Sequence, residues 1–404
     1  MKTHRAFAWV LFAVLAVATI FNATTVYANA PRRRTTPVAT PQTAARIIRS
    51  SSMTYIAVIR DDGNLWVVEI PVDDTEWWRP ETTRTYMIKE NVVSVAVSSG
   101  TLSNDYLGYL YAITSDGVLW RWGNDMRHFT NRGIMPITGE VVYHSYFTGT
   151  GITIHEPPVA LKENVAFVVG GMAHSHAITT DGRLWAWGVN DRGQLGDGTT
   201  RFRSTPVAIM NNVVQAGTSS SRAWAVTAAG NLYVWGWNNA SHPGGGNYYV
   251  TSPMRVMHGV RYAAQSSNFI ATMFIIRDDG TLCGYGNMAY EMIPYSSIGL
   301  GIFTPLLENV SAIWAGIDGA HATMEDGTSL MWGTLFTGHE DIKLAPPYAP
   351  VPTPLDITAF ICNSMSLALS ATGDIITWAG GQFRIRPLAE FARPIFTIPA
   401  PPAL

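Results

Sequence analysis

The sequence predicts an all-β chain, a seven-bladed β-propeller of four-stranded antiparallel blades, and three observations predict it. Charged residues make up 14% of the 404, against roughly a quarter in an ordinary globular chain, while Trp (14), Gly (36) and Pro (23) are abundant. Such a composition suits many short strands joined by tight turns. A hairpin signal, an apolar run, Asp-Gly and a second apolar run, then recurs along the chain. Its spacing, finally, is that of a repeat architecture rather than of chance.

Residues 1–30 are expected to be an export signal. Lys2, His4 and Arg5 precede an uncharged run from Ala6 to Phe21, and small residues follow at Val26-Tyr27-Ala28 and Ala28-Asn29-Ala30. Pro31 disfavours cleavage after Ala30, so Ala28 is the expected site, with an uncleaved anchor as the alternative. Residues 31–50, rich in Pro, Thr and Arg, read as a flexible linker, and 51–404 as the repeat domain. The mature chain is expected to lie outside the cytoplasm, secreted or at the cell surface, as a monomer.

Charge excludes one class of partner. Residues 1–50 hold seven basic residues and no acid, which leaves 20 basic and 29 acidic residues in the body, a net of about −9. A body of that sign repels a polyanion, so no nucleic acid is expected. The run Arg32-Arg33-Arg34 reads as solvated linker.

The repeat is clearest at Ile178–Gly188, ITTDGRLWAWG, with relatives at Val58–Val68, Ile113–Gly123 and Val226–Gly236. Weaker copies follow at Ile275–Gly286, Thr323–Gly333 and Leu369–Gly380. The central glycines, Gly63, Gly117, Gly182, Gly230, Gly280, Gly327 and Gly373, are 54, 65, 48, 50, 47 and 46 residues apart. Asp-Gly supplies the positive φ of a tight turn, and a strand such as Leu184-Trp185-Ala186-Trp187, apolar throughout, reads as buried on both faces. Upstream apolar strands open on Asn-Val, as at Asn164-Val165, Asn212-Val213 and Asn309-Val310. Four strands per unit, each sheet covered by its neighbours, make a propeller. Arg46-Ile47-Ile48-Arg49 is a poor copy of the Asn-Val start, and Ile385–Ile398 has no strand partner in the pattern. The C-terminal segment is therefore expected to complete the first blade and close the ring.

The stretch Trp187–Val207, WGVNDRGQLGDGTTRFRSTPV, resembles the repeat of the regulator of chromosome condensation family. Trp187, Gly188, Asn190, Gly193, Gln194, Leu195, Gly196, Pro206 and Val207 match that family's pattern, with Gly171, His174 and Ser175 upstream. The resemblance extends over about residues 52–400 and implies a seven-bladed ring; the signal makes it a secreted, bacterial-type member. It also implies two functions: nucleotide exchange on a small GTPase, or inhibition of an enzyme, as in a bacterial propeller that inhibits β-lactamases. No exchange residue of the family matches a position here.

No catalytic centre is expected. Asp62, Asp116, Asp181, Asp279 and Asp326 each precede a repeat glycine and read as turn formers. His176 and His321 share one repeat position and read as packing residues rather than ligands; no metal and no cofactor is expected. Gly193–Gly198 lacks the Gly-Lys-Ser/Thr ending of a phosphate loop, and Cys283 and Cys362 sit in different blades. What remains is a surface. The long loops gather Phe129, Tyr143, Tyr146 and Phe147 from an insertion at 124–158, then Trp237, Tyr248 and Tyr249, then Tyr290 and Tyr295. Turns on the same side add Tyr106, Arg222 and Phe269. Aromatics with polar tips suit a protein or carbohydrate partner. The expected function is thus a non-enzymatic scaffold binding through this face, opposite a face of short Asp-Gly turns.

Overall fold

The computed structural model describes residues 45–49, 53–59, 62–71, 84–102, 105–123, 157–171, 173–219, 221–238, 248–265, 272–286, 303–315, 320–332, 351–352, 357–360, 366–370, 374–379 and 382–387. The expected signal at 1–30 lies outside them. The first sheet holds β1 (Ala45–Arg49), β2 (Met53–Ile59), β3 (Leu65–Pro71) and β4 (Arg84–Lys89). The second holds β5 (Val92–Leu102), β6 (Asp105–Thr114), β7 (Leu119–Trp122) and β8 (Val159–Lys162). The third holds β9 (Val165–Gly170), β10 (His174–Thr179), β11 (Leu184–Gly188) and β12 (Arg203–Met210). In the fourth are β13 (Val213–Thr218), β14 (Arg222–Thr227), β15 (Leu232–Asn238) and β16 (Tyr248–Met257). The fifth comprises β17 (Val260–Gln265), β18 (Met273–Arg277), β19 (Leu282–Tyr285) and β20 (Thr304–Leu307). The sixth comprises β21 (Val310–Ala315), β22 (Ala320–Met324), β23 (Ser329–Trp332) and β24 (Val351–Pro352). Last come β25 (Ile357–Phe360), β26 (Ser366–Ser370), β27 (Asp374–Ala379) and β28 (Gln382–Pro387). Among the described residues these make seven four-stranded antiparallel sheets, each in chain order. First strands of successive sheets pack together, β1 on β5, β5 on β9, and so on to β21, so the sheets fan out from a line of first strands.

Two expectations are corrected here. Ile385, Arg386 and Pro387 do not join the first repeat: they pair with Ile376, Ile375 and Asp374 as the fourth strand of their own sheet. The first sheet is completed instead by β1, which pairs with β2 through Arg46–Ala57 and Ile47–Ile56. Residues 45–49, expected to be linker, are thus a strand. The rest of the expected closing segment, 388–398, lies outside the described residues.

Antiparallel order puts first-to-second and third-to-fourth connections on one side, second-to-third and sheet-to-sheet connections on the other. The long loops therefore join third to fourth strands within one sheet. Among the described residues the connections between sheets are two-residue turns, Glu90-Asn91, Glu163-Asn164, Asn211-Asn212, His258-Gly259 and Glu308-Asn309. They stand beside the Asp-Gly turns. Asn91, Asn164, Asn212 and Asn309 are left-handed, with φ of 56–58°, and Gly259 takes the same place at 69°. Asn tolerates that region better than other side chains do, which is why the strand start reads Asn-Val.

These turns also join the sheets. The N–H of the first residue of a sheet donates to the turn glycine of the sheet before it: Val92 to Gly63 (2.7 Å), Val165 to Gly117 (2.8 Å), Val213 to Gly182 (2.8 Å), Val260 to Gly230 (3.0 Å) and Val310 to Gly280 (2.9 Å). The turn aspartates hold the turns as expected. Asp116, Asp181, Asp279 and Asp326 each accept from the N–H two residues on, at 3.3, 3.2, 3.0 and 2.8 Å.

Side chains fill the space between sheets by one rule at three of the joints. The aromatic five residues after the turn glycine packs toward the preceding sheet and meets, edge to face, the residue six before that sheet's glycine. Trp187 meets Tyr111 (5.6 Å, 78°), Trp235 meets His176 (5.6 Å, 63°) and Trp332 meets Phe274 (5.9 Å, 86°). Such pairs add about 0.5–1.5 kcal/mol beyond burial. The second strands β10 and β14 are buried at every position.

Candidate binding face

The loop between β11 and β12 is held by its own side chains. Asn190 Nδ2 donates to Asp197 Oδ1 (3.0 Å) and to the Thr199 carbonyl (3.0 Å), while Asn190 Oδ1 accepts from Leu195 N (3.0 Å). Gln194 Oε1 accepts from Arg192 N (2.8 Å), and its Nε2 donates to Asp191 (2.9 Å). Arg203 Nε donates to Asp197 Oδ2 at 2.6 Å. Burial would raise the Asp197 carboxyl, but Thr199 and Arg203 outweigh it and hold it low. The loop then plugs into the fourth sheet: Trp235 Nε1 donates to the Gln194 carbonyl (3.0 Å), and Gly198 N to the Thr251 carbonyl (2.8 Å). A Cβ on Gly196, at φ 79°, would lie 2.7 Å from Trp235 Nε1. The glycine-rich motif is a staple between sheets.

That staple sets Arg192 over Trp237, 4.8 Å from the ring centroid, and Arg222 approaches the same ring at 5.7 Å. Arg222 is buried at 4% exposure, its Nε donates to the Trp237 carbonyl (2.6 Å), and Trp237 N donates to the Ser221 carbonyl (2.9 Å). Burial pulls the Arg222 guanidinium down to about 10, against a smaller opposing effect of Tyr285. Trp237 itself is half-buried. Across the strand pair it faces Tyr249, which is 52% exposed, and Asn238 faces Tyr248. Of the expected site residues, Arg222, Trp237 and Tyr249 thus meet at one place on the loop-rich side. Tyr248 is placed on β16, and Tyr106 on β6 opposite Thr101. Phe129, Tyr143, Tyr146, Phe147, Tyr290, Tyr295 and Phe269 lie outside the described residues.

Sequence reasoning missed a cleft on the same side, between the second and third sheets. It is a small, partly open cleft, with Tyr109, Arg121, Trp187, Phe202 and Arg203 among its walls. The signal was available. Four residues after the turn glycine the seven copies read Val67, Arg121, Ala186, Val234, Gly284, Met331 and Thr377, and only the second is charged.

The histidines behave as packing residues. Burial, and then the neighbouring His174, holds His176 well below its ordinary range, and burial pushes His321 down to about 4. Among the described residues no group of three metal-ligating side chains gathers. Cys283 is a buried free thiol; Cys362 lies outside the described residues.

Two models described as the regulator of chromosome condensation (RCC1) repeat match the chain, at residues 181–222 and 165–194. The human E3 ubiquitin-protein ligase HERC2 is 32% identical over 92 residues, which is 22% of this chain and 2% of the ligase. The RCC2 homolog of Danio rerio is 59% identical over 39 residues, 9% of this chain and 8% of that protein. The chain thus matches a small fraction of the length of these curated relatives, and they are eukaryotic. Among solved structures, human WBSCR16 aligns with a TM-score of 0.53 at 20% identity, over 84% of this chain and 92% of that one. Yeast RCC1 (Prp20), in the crystal structure of Kap60 bound to it, aligns at 0.50 and 18% identity, over 86% and 84%. Residues 165–222 therefore carry the regulator of chromosome condensation repeat, in a chain whose sheets have the β-propeller fold of these structures.

Proposed function

We propose that this chain is an exported, seven-bladed propeller without catalytic activity of its own, which binds a protein or glycan partner through its loop-rich face. One observation carries the reading: Trp237, with Arg192 and Arg222 both close to its ring, stands beside the exposed Tyr249. A fixed aromatic next to guanidinium groups loses little entropy on binding, and Trp, Tyr and Arg dominate interface hot spots. The export signal read at residues 1–30 supports a partner outside the cytoplasm.

The test is capture. The chain without residues 1–28 is immobilised and exposed to culture supernatant and cell-wall extract, beside the double variant Trp237→Ala, Tyr249→Ala. Loss of a specific partner by a normally folded variant is expected. Undiminished capture would move the site to another surface.

A second reading has one observation in its favour. The fold is similar to that of Prp20p from Saccharomyces cerevisiae, at a TM-score of 0.50 and 17% identity, a protein described with binding properties to Gsp1p and histones. Under that reading the chain acts on a small GTPase inside the cell. A reporter fused behind residues 1–30 decides between them: retention in the cytoplasm would favour exchange, and export would remove it.

A further inference from the structure

Charge is unevenly divided along the chain. Between Asp181 and Asp278 there are eight basic residues and two acidic ones, Asp191 and Asp197, a net of about +6. The rest of residues 51–404 has 12 basic and 27 acidic residues, a net of about −15. The basic stretch runs from β11 to β18, and four of its arginines stand on the loop-rich side. Arg192, Arg201 and Arg203 follow β11, and Arg222 opens β14.

Exposure sharpens the division. The Asp197 side chain is 6% exposed and matched by Arg203 at 2.6 Å. Asp191 is 23% exposed and accepts from Gln194, whereas Arg192, over Trp237, is 36% exposed and Arg201 is exposed. Arg222 is buried and adds its charge 5.7 Å from the same ring. The turn aspartates sit at the far end of the strands, about 16 Å away over five residues, beyond the ~8 Å screening length of physiological salt. The accessible charge beside Trp237 is therefore positive, on a body whose net charge is negative.

That sign selects the partner. A long polyanion would run from this patch over the acidic remainder and be repelled there. A short acidic segment of a folded protein confines its charge to the patch, and it brings apolar side chains for the Trp237 and Tyr249 rings.

We propose that the loop-rich face around Trp237 takes a short acidic segment of the protein partner, held by Arg192 and Arg201. The proposal rests on the reading of that face as the binding surface, but its test needs no partner. Labelled hexaglutamate is titrated against the chain without residues 1–28, beside hexaglutamine, hexalysine and a heparin hexasaccharide. Saturable binding of hexaglutamate alone, weakened by rising salt, is expected. Arg201→Glu, at an exposed position, should weaken it about tenfold with an unchanged melting temperature. Replacing Arg32, Arg33 and Arg34 by Ala should leave it as it was. Binding that survives in both Arg201→Glu and Arg192→Ala, or that vanishes when the Arg32–Arg34 run is removed, would overturn the site. Heparin binding as tight as that of hexaglutamate would overturn the protein segment as occupant. The two readings fail separately. No hexaglutamate binding, with capture still lost in Trp237→Ala, Tyr249→Ala, removes the acidic segment and keeps the face. Binding that depends on Arg201, while that double variant captures normally, keeps the acidic segment and removes the rings as the docking point.

Discussion

Lowering the pH from about 7 to about 5 is expected to remove about 2 kcal/mol of stability through His321 alone. Burial holds its folded-state value at about 4, against an ordinary 6.5. Between those two values the unfolded chain binds a proton that the folded chain refuses, so stability falls as pH falls, by about 1.4 kcal/mol per unit. The loss begins near the ordinary value and is complete below the folded one. His176, depressed chiefly by burial, contributes a loss of the same sign. The turn carboxylates Asp116, Asp181, Asp279 and Asp326 are held below 3.8 by the hydroxyls and N–H groups of their own turns, so their contribution is lost only at lower pH. The window above about pH 5 therefore isolates the histidines. Urea unfolding at several pH values measures the slope in the native chain and in the double variant His176→Phe, His321→Phe. Phenylalanine already fills this repeat position at Phe274, edge-on to Trp332. The variant is expected to lose most of the slope. An equal slope in both proteins, or a flat native curve, would refute the reasoning.

Asn212→Ala is expected to cost about 1 kcal/mol in urea unfolding, because φ is 58° there. Asn212→Gly should be nearly neutral, as Gly259 is at the equivalent turn; an equal loss in both would refute the backbone account. Deleting residues 1–50 strips β1 from its sheet and should lower the melting temperature, whereas an unchanged value would show that β1 contributes nothing. Removing 382–404 takes β28 from the edge of the last sheet and should act in the same direction. Trp237→Ala with Tyr249→Ala should weaken a captured partner by about 2 kcal/mol or more while barely moving the melting temperature; a large thermal loss would show that both residues are packing.

The hairpins were legible because their cause is local. Asp181-Gly182 needs a positive φ and a carboxylate two residues before an N–H, and four residues carry both. Which sheet the C-terminal strand joins was not legible, since it depends on pairing between segments such as Ile376 and Ile385, whose alternatives look equally apolar. Trp237 was visible as an aromatic beside a loop, but its clamp was not. Arg192 reaches it only because Asn190 and Gln194 fold the loop, and no spacing announces that. Arg121 was hidden by the habit of seeking what repeats: its meaning lies in being the copy that differs.

Where one sheet turns into the next, the repeated bond uses a glycine carbonyl and a strand's first N–H. Neither group changes when side chains do, so mutation has no direct access to it. Selection can then rewrite a copy from Leu-Trp-Ala-Trp to Leu-Cys-Gly-Tyr, or lengthen a loop on the far side, without altering the angle at which the next sheet begins. The chain behaves like a hinge-pinned fan: its pivots are invariant in chemistry, and its free ends are open to experiment.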